Sequence, residues 1–169
     1  MMQRRGFTLL EMAVTLAILV VVLAIALPSL IQMSIVENET AIIQAMRSAV
    51  QACESFRMRD SQGDIRGRYP VSLAALTGSA PPYLDPRFSA LALGRPWRGY
   101  VGQYTPAPER TIQVGNITYR VRDAYTLTAD PVRRGLTGQR SFYVDQSGAV
   151  RFNAQRPATA NDPALEEAR

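Results

Sequence analysis

The stretch Arg4-Arg5-Gly6-Phe7-Thr8-Leu9-Leu10-Glu11 decides how this chain is read, because an apolar run follows it almost unbroken to Ile31. No charge falls between Met12 and Ile31. About 20 apolar residues at ~1.5 Å rise cross the ~30 Å hydrocarbon core of a bilayer, so the run is long enough to span one as a helix. Glu11 is the one charge inside the apolar segment, close to its start. A carboxylate entering lipid costs on the order of kilocalories, which marks Glu11 as a residue with a task and a partner.

The parts stand in an order that a secretory signal does not use. Such a signal places its small-residue cleavage site after the apolar stretch, whereas here the small residue, Gly6, stands between the basic patch and the apolar stretch. A cut after Gly6 leaves Phe7 as the new N-terminus with the hydrophobic helix still attached. Arg4 and Arg5 then stay on the cytoplasmic side by the positive-inside rule.

This arrangement resembles the class III signal of type IV pilins and type II secretion pseudopilins, and Pro28 falls at the matching place in that family's long helix. The resemblance is specific over Gly6 to Pro28. It implies cleavage by prepilin peptidase between Gly6 and Phe7, N-methylation of Phe7, and assembly into a helical filament in which Glu11 and Pro28 take part. The implied partners are the peptidase, further copies of the chain, other pilins or pseudopilins, an inner-membrane assembly platform, and inner-membrane lipid before assembly. The implied location is a single-pass inner-membrane protein with a periplasmic C-terminal domain, then an extracellular pilus or a periplasmic pseudopilus. The alternative is a non-polymerising, single-pass membrane-anchored binding domain.

Composition bounds the rest. A chain of 169 residues carries one domain behind the apolar helix. All 19 basic residues are arginine and the net charge is +5, which reads as a solvated arginine-rich surface. Cys53 is alone, so the chain cannot form the internal disulfide with which many type IV pilins close a C-terminal loop. Its spacing from Met46 and Val50 reads as that of a small core residue. Histidine is absent, which removes the commonest general base and metal ligand. Asp123, Asp130 and Asp145 fall near strand ends and read as solvated turn residues. No calcium loop is recognisable, and calcium needs six to eight oxygens. The chain therefore reads as a structural subunit rather than an enzyme, with no metal and no cofactor.

Beyond Pro28 helical periodicity continues: Ile35, Ile42, Met46, Val50 or Cys53, and Phe56 recur on one face, with Glu37, Glu39, Gln44, Arg47, Gln51 and Glu54 between them. Ser34-Ile35-Val36-Glu37 also fits a capping box and a fresh helix start, but periodicity through the junction favours one long helix bent near Pro28. From Asp60 glycine and proline break the chain into short elements, with one helical turn over Ser72 to Leu76. Tyr69-Pro70-Val71-Ser72-Leu73, Pro82-Tyr83-Leu84-Asp85-Pro86 and Arg95-Pro96-Trp97-Arg98-Gly99-Tyr100 resemble the loop region of major type II secretion pseudopilins. Trp97 and Tyr100 are expected to pin that loop to the domain.

Thr111 to Val114 and Ile117 to Arg120 flank Gly115-Asn116, a two-residue hairpin signal. Tyr125 to Thr128 is a further strand, and Arg140 to Asp145 with Ala149 to Phe152 form a second hairpin. The expected fold is α+β, a pilin-like lollipop: a long N-terminal helix, its apolar half protruding, packed on a small antiparallel β-sheet. The expected division is a leader at 1–6, a membrane and filament-core half-helix at 7–31, and an amphipathic half-helix at 32–59. A loop region and sheet follow at 60–153, then a mobile tail at 154–169.

Overall fold

The computed structural model describes residues 8–60 and 68–166. Its first element is a 52-residue helix, α1 (Leu9–Asp60), assigned without interruption through Pro28. Proline has no N–H, so the Ala24 carbonyl loses its usual partner there. The possible start at Ser34 is not used: Ser34 lies inside α1, and Thr40 donates its hydroxyl to the Val36 carbonyl at 2.8 Å, a bond within a continuing helix. Arg57 and Arg59 stand in the last turn, where positive charge complements the helix dipole.

The chain divides into two compact units, Met1–Ser34 and Ile35–Arg169. In the first, every large apolar side chain from Leu9 to Met33 is exposed. This stretch meets the length and hydropathy of a membrane span, and none of it is buried in protein.

In the second unit α1 packs on an antiparallel sheet, making the fold α+β. After α2 (Ala74–Thr77), a 3₁₀ turn (Pro86–Phe88) and α3 (Ser89–Ala92) come β1 (Tyr100–Pro106), β2 (Arg110–Val114), β3 (Ile117–Val121), β4 (Tyr125–Pro131), β5 (Ser141–Asp145) and β6 (Arg151–Asn153). Four strands form one sheet in the order β1-β4-β5-β6. Gln103 faces Thr128, and Thr128 faces Tyr143. Along β4, Tyr125, Leu127 and Ala129 point into the core while Thr126, Thr128 and Asp130 point away, the two-residue alternation of a half-buried strand. They meet Ile42, Ala45, Met46, Ala49, Ala52 and Cys53 of α1, joined by Phe142 and Val144 of β5. The three alanines keep that helix face slim. Burying each large side chain of this set contributes about 1.5–3 kcal/mol.

The helix register read from Ile35, Ile42, Met46 and Cys53 holds, since all four are buried. Phe56 is half-buried at the edge, its ring 5.7 Å from Tyr83 in a T-shaped pair. The hairpin at Gly115-Asn116 forms as expected, and Gly115 takes φ +62°, a left-handed value that costs glycine nothing. It does not join the main sheet: β2 and β3 form a sheet of their own. A two-stranded ribbon buries little, and here only Val121 is buried.

β1 lies where no strand was expected. Its Gly102 is buried, and a Cβ there would run into the Leu91 side chain of α3, so the glycine admits close packing of helix on strand. The middle region holds on by Leu73, Leu76, Leu84 and Leu91, all buried. Tyr100 is fully buried, whereas Trp97 is half-buried against Phe88 at 5.3 Å.

The expectation of a mobile tail is corrected over 154–166. Asp162 is buried there, and its carboxylate accepts bonds from Asn153 Nδ2 at 2.8 Å, Thr159 N at 2.7 Å and Arg156 Nη2 at 2.7 Å. Leu165 N donates to the Val150 carbonyl at 2.9 Å, so the segment lies along the β6 side of the sheet. Tail composition did not announce this, because one carboxylate, not an apolar pattern, organises the turn.

A second buried acid is one of the polar positions that the helix pattern sets between its apolar ones. Glu39 of α1 is 5% exposed. Its Oε1 accepts the backbone N–H groups of Gln139 at 2.8 Å and Arg140 at 2.9 Å, and Oε2 accepts Arg140 Nε at 2.7 Å. Tyr100 donates its hydroxyl to the Arg140 carbonyl at 2.8 Å beside it. Gly138 must be glycine here, because a Cβ would overlap the Tyr100 ring and hydroxyl.

Candidate functional site: the capped start of the apolar helix

Thr8 precedes the first helical residue, and Glu11 stands three positions on. Thr8 N donates to Glu11 Oε2 at 3.0 Å, and Thr8 Oγ1 donates to the same oxygen at 2.9 Å. In return Glu11 N donates to Thr8 Oγ1 at 3.2 Å. This is a capping box, in which the N-cap residue and the acid at the third helical position satisfy each other's backbone donors. An acid in the first turn also complements the positive end of the helix dipole. Thr15 extends the order by donating its hydroxyl to the Glu11 carbonyl at 2.7 Å. The sequence offers this motif twice, as Ser-x-x-Glu at 34–37, where the helix passes through it, and as Thr-x-x-Glu at 8–11, where it makes the cap.

The structure thus places Glu11 at the mouth of α1 and Pro28 well inside it, among exposed apolar side chains. Gly6 and Phe7, with Arg4 and Arg5, lie outside the described residues. Cys53 is buried in the core, and burial pushes its thiol up to about 12, so little thiolate exists near neutrality. The three strand-end acids are not brought together. Asp123 pairs with Arg110 across the base of the β2–β3 hairpin. Asp130 and Asp145 lie at opposite ends of the β4–β5 pairing, and Asp145 accepts Ser147 N in a turn at 2.8 Å. Among the described residues no group of three or more His, Cys, Asp or Glu side chains is placed to hold a metal.

Residues 1–27 match a family model described as the prokaryotic N-terminal methylation motif, the prepilin-type motif of type IV pilins and pseudopilins. The match covers the basic leader, the capping box and most of the apolar run. No curated protein and no solved structure matches the chain significantly.

Proposed function

We propose that the chain is a structural subunit, pilin or pseudopilin, cut by prepilin peptidase after Gly6, methylated on Phe7, and polymerised into a type IV pilus or type II secretion pseudopilus. The observation that carries this reading is the junction itself: a basic leader, Gly6, the Thr8–Glu11 cap, and an exposed apolar helix, all within the span of the methylation motif. Before assembly the helix anchors the subunit in the inner membrane, with the C-terminal domain in the periplasm. After the cut the Phe7 amine is a new cation, and Glu11 offers an anion one turn away, in a medium where opposite charges attract more strongly than in water. The amine of an incoming subunit, neutralised by Glu11 of a neighbour, fixes axial register. The apolar helices then exchange lipid contacts for one another. The role is structural rather than enzymatic.

The loop phrases at 69–73, 82–86 and 95–100 lean towards a secretion pseudopilus, and the want of a recognisable calcium loop leans back towards a pilus. Expression beside prepilin peptidase, followed by intact-mass analysis, tests the processing step. The mature chain is expected to begin at Phe7, and Gly6→Val to remain uncut; any other new N-terminus overturns the assignment.

A further inference from the structure

The second unit carries a cleft that the capped start of α1 does not use. One face of α1 lays a polar row along its floor: Gln44, Ser48, Gln51 and Ser55 follow one another at helical spacing. The opposite wall is the segment from Tyr83 to Phe88, continued by Trp97 and Arg98. Two hollows of about 410 and 500 Å³ lie along this cleft and share Gln44, Arg87 and Phe88, so they form one channel open to solvent. From Ala41 to Ser55 the floor runs ~21 Å at ~1.5 Å per residue.

The lining selects among ligands by what it leaves uncommitted. Its charges are spent on one another. Arg87 donates Nε and Nη2 to Asp85 Oδ2 at 2.9 and 2.8 Å, and Arg98 Nη1 donates to Glu37 Oε1 at 3.2 Å. With each lining arginine paired, the cleft offers no unneutralised charge to draw an ion. Its backbone donors are spent as well. The Tyr83 and Leu84 N–H groups both donate to the Leu76 carbonyl, the Phe88 N–H to the Asp85 carbonyl, and the Arg87 N–H to Asp85 Oδ1. Pro86 has no N–H, and the floor is a helix whose amides serve its own carbonyls. An extended peptide therefore finds no strand edge to pair with.

What remains are the amides of Gln44 and Gln51 and the hydroxyls of Ser48 and Ser55. None of the four side chains has a hydrogen-bond partner among the described residues. These groups both donate and accept, and carry no charge. Facing them are ring surfaces: Tyr83, Phe88 and Trp97 are each half-buried, and the Phe88 and Trp97 rings form a T-shaped pair at 5.3 Å. An acyl chain would leave the polar row unsatisfied. A sugar ring matches both sides, since it has an apolar C–H face and a rim of neutral hydroxyls. Aromatic walls with a few placed polar groups are the usual make-up of a small-molecule cleft.

We infer that this cleft binds a neutral oligosaccharide, laid lengthwise along α1. Gln44, Ser48, Gln51 and Ser55 hydrogen-bond the sugar hydroxyls, while Phe88 and Trp97 receive the apolar ring faces. The site lies wholly in the second unit, so it does not depend on cleavage or polymerisation of the subunit.

Trp97 is the chain's one tryptophan, so its fluorescence reports on the cleft directly. The test uses the full chain, expressed beside prepilin peptidase and held in lipid nanodiscs free of sugar-headed detergent. It is titrated with cellotetraose, chitotetraose and maltotetraose up to tens of millimolar. At least one is expected to shift the Trp97 emission saturably in the millimolar range. Gln44→Ala and Gln51→Ala, both at exposed positions, are each expected to weaken that binding about fivefold, the effect of one lost hydrogen bond, with thermal unfolding unchanged. Tetragalacturonate, an anionic sugar chain, is expected to bind more weakly. No saturable shift with any of the three neutral sugars overturns the proposal, as does undiminished affinity in both glutamine variants. Tighter binding of tetragalacturonate overturns it too, since that marks an anion site. Intact mass of the same sample reads the N-terminus separately. A chain that begins at Phe7 but binds no sugar sinks the cleft alone, and an uncut chain that binds one upholds the cleft and sinks the processing.

Discussion

Thr8 and Glu11 satisfy each other across the first turn of α1, so the acid at the head of the apolar helix already has a task within its own chain. Under the proposed assembly two roles meet in one carboxylate: accepting the Thr8 N–H at the helix start, as observed, and neutralising an incoming amine, as proposed. The first needs only an acceptor oxygen. The second needs a charge.

That difference can be measured. Glu11→Gln keeps an acceptor for Thr8 but removes the charge, whereas Glu11→Leu removes both. Both variants are expected to insert and be cleaved, and neither to yield sheared filaments in the absence of wild-type protein. Normal filament yield from Glu11→Gln would show that capping, not charge pairing, is what assembly needs, and the register mechanism would fall.

Thr8→Val isolates the cap from the charge. It removes the hydroxyl while keeping shape, and loss of an N-cap costs about 0.5–2 kcal/mol of helix stability. Hydrogen exchange of the first-turn amides should accelerate in the variant, with exchange around Met46 unchanged. An unaltered first turn would mean that the cap contributes nothing in the membrane.

Glu39 gives the largest effect expected from a polar residue. Glu39→Ala leaves Arg140 and two backbone N–H groups without their acceptor, at a cost of about 3–5 kcal/mol. Glu39→Gln retains an acceptor for the backbone and should cost less. Denaturant unfolding of the two variants checks this, and equal losses would assign the effect to charge alone.

Core position separates two phenylalanines. Phe142, fully buried, should lose about 3–5 kcal/mol on truncation to alanine. Phe56→Ala, at the half-buried edge beside Tyr83, should lose about 1–2 kcal/mol. A larger loss at Phe56 would contradict the burial described here.

Acid should release the tail. The bond from Asn153, then those from Thr159 and Arg156, hold the Asp162 carboxyl down at about 2, while a free aspartate titrates near ~3.9. Its stabilising contribution is complete above the unfolded value and is lost as pH falls from about 4 towards 2. Limited proteolysis within 154–166 should rise over that window, and Asp162→Asn should show the raised rate already at neutral pH.

How much of this the sequence disclosed follows from what each feature is made of. Ile42, Met46 and Cys53 could be read because burial on one helix face leaves a repeating pattern. The β2–β3 turn could be read because Gly115-Asn116 is a local instruction. β1 was hidden because its neighbours in sequence, Gly94 to Gly99, argue for a loop, and only Leu91 and β4 make a strand of it. Glu39 was hidden because its partners, Gln139 and Arg140, are distant in the chain, and Asp162 because its nearby partners Asn153, Arg156 and Thr159 are polar and leave no periodic pattern. The cap at Thr8 is legible as a local Thr-x-x-Glu signal, overlaid by the standing of Glu11 as the one charge of the apolar run.

Tyr100 and Gly138 carry a consequence for how this chain can change over generations. A tyrosine hydroxyl occupies the space in which any side chain at 138 would begin, and the same hydroxyl donates to the carbonyl of Arg140, the partner of Glu39. No single substitution at position 138 enlarges it without displacing that ring. Descendants that keep this architecture are therefore expected to part with the glycine only after the tyrosine has shrunk, and to drift at Glu39 and Arg140 together rather than one at a time. The four positions form a joint signature, legible as correlated replacement in any lineage that shares the domain, even where its apolar residues have diverged beyond comparison.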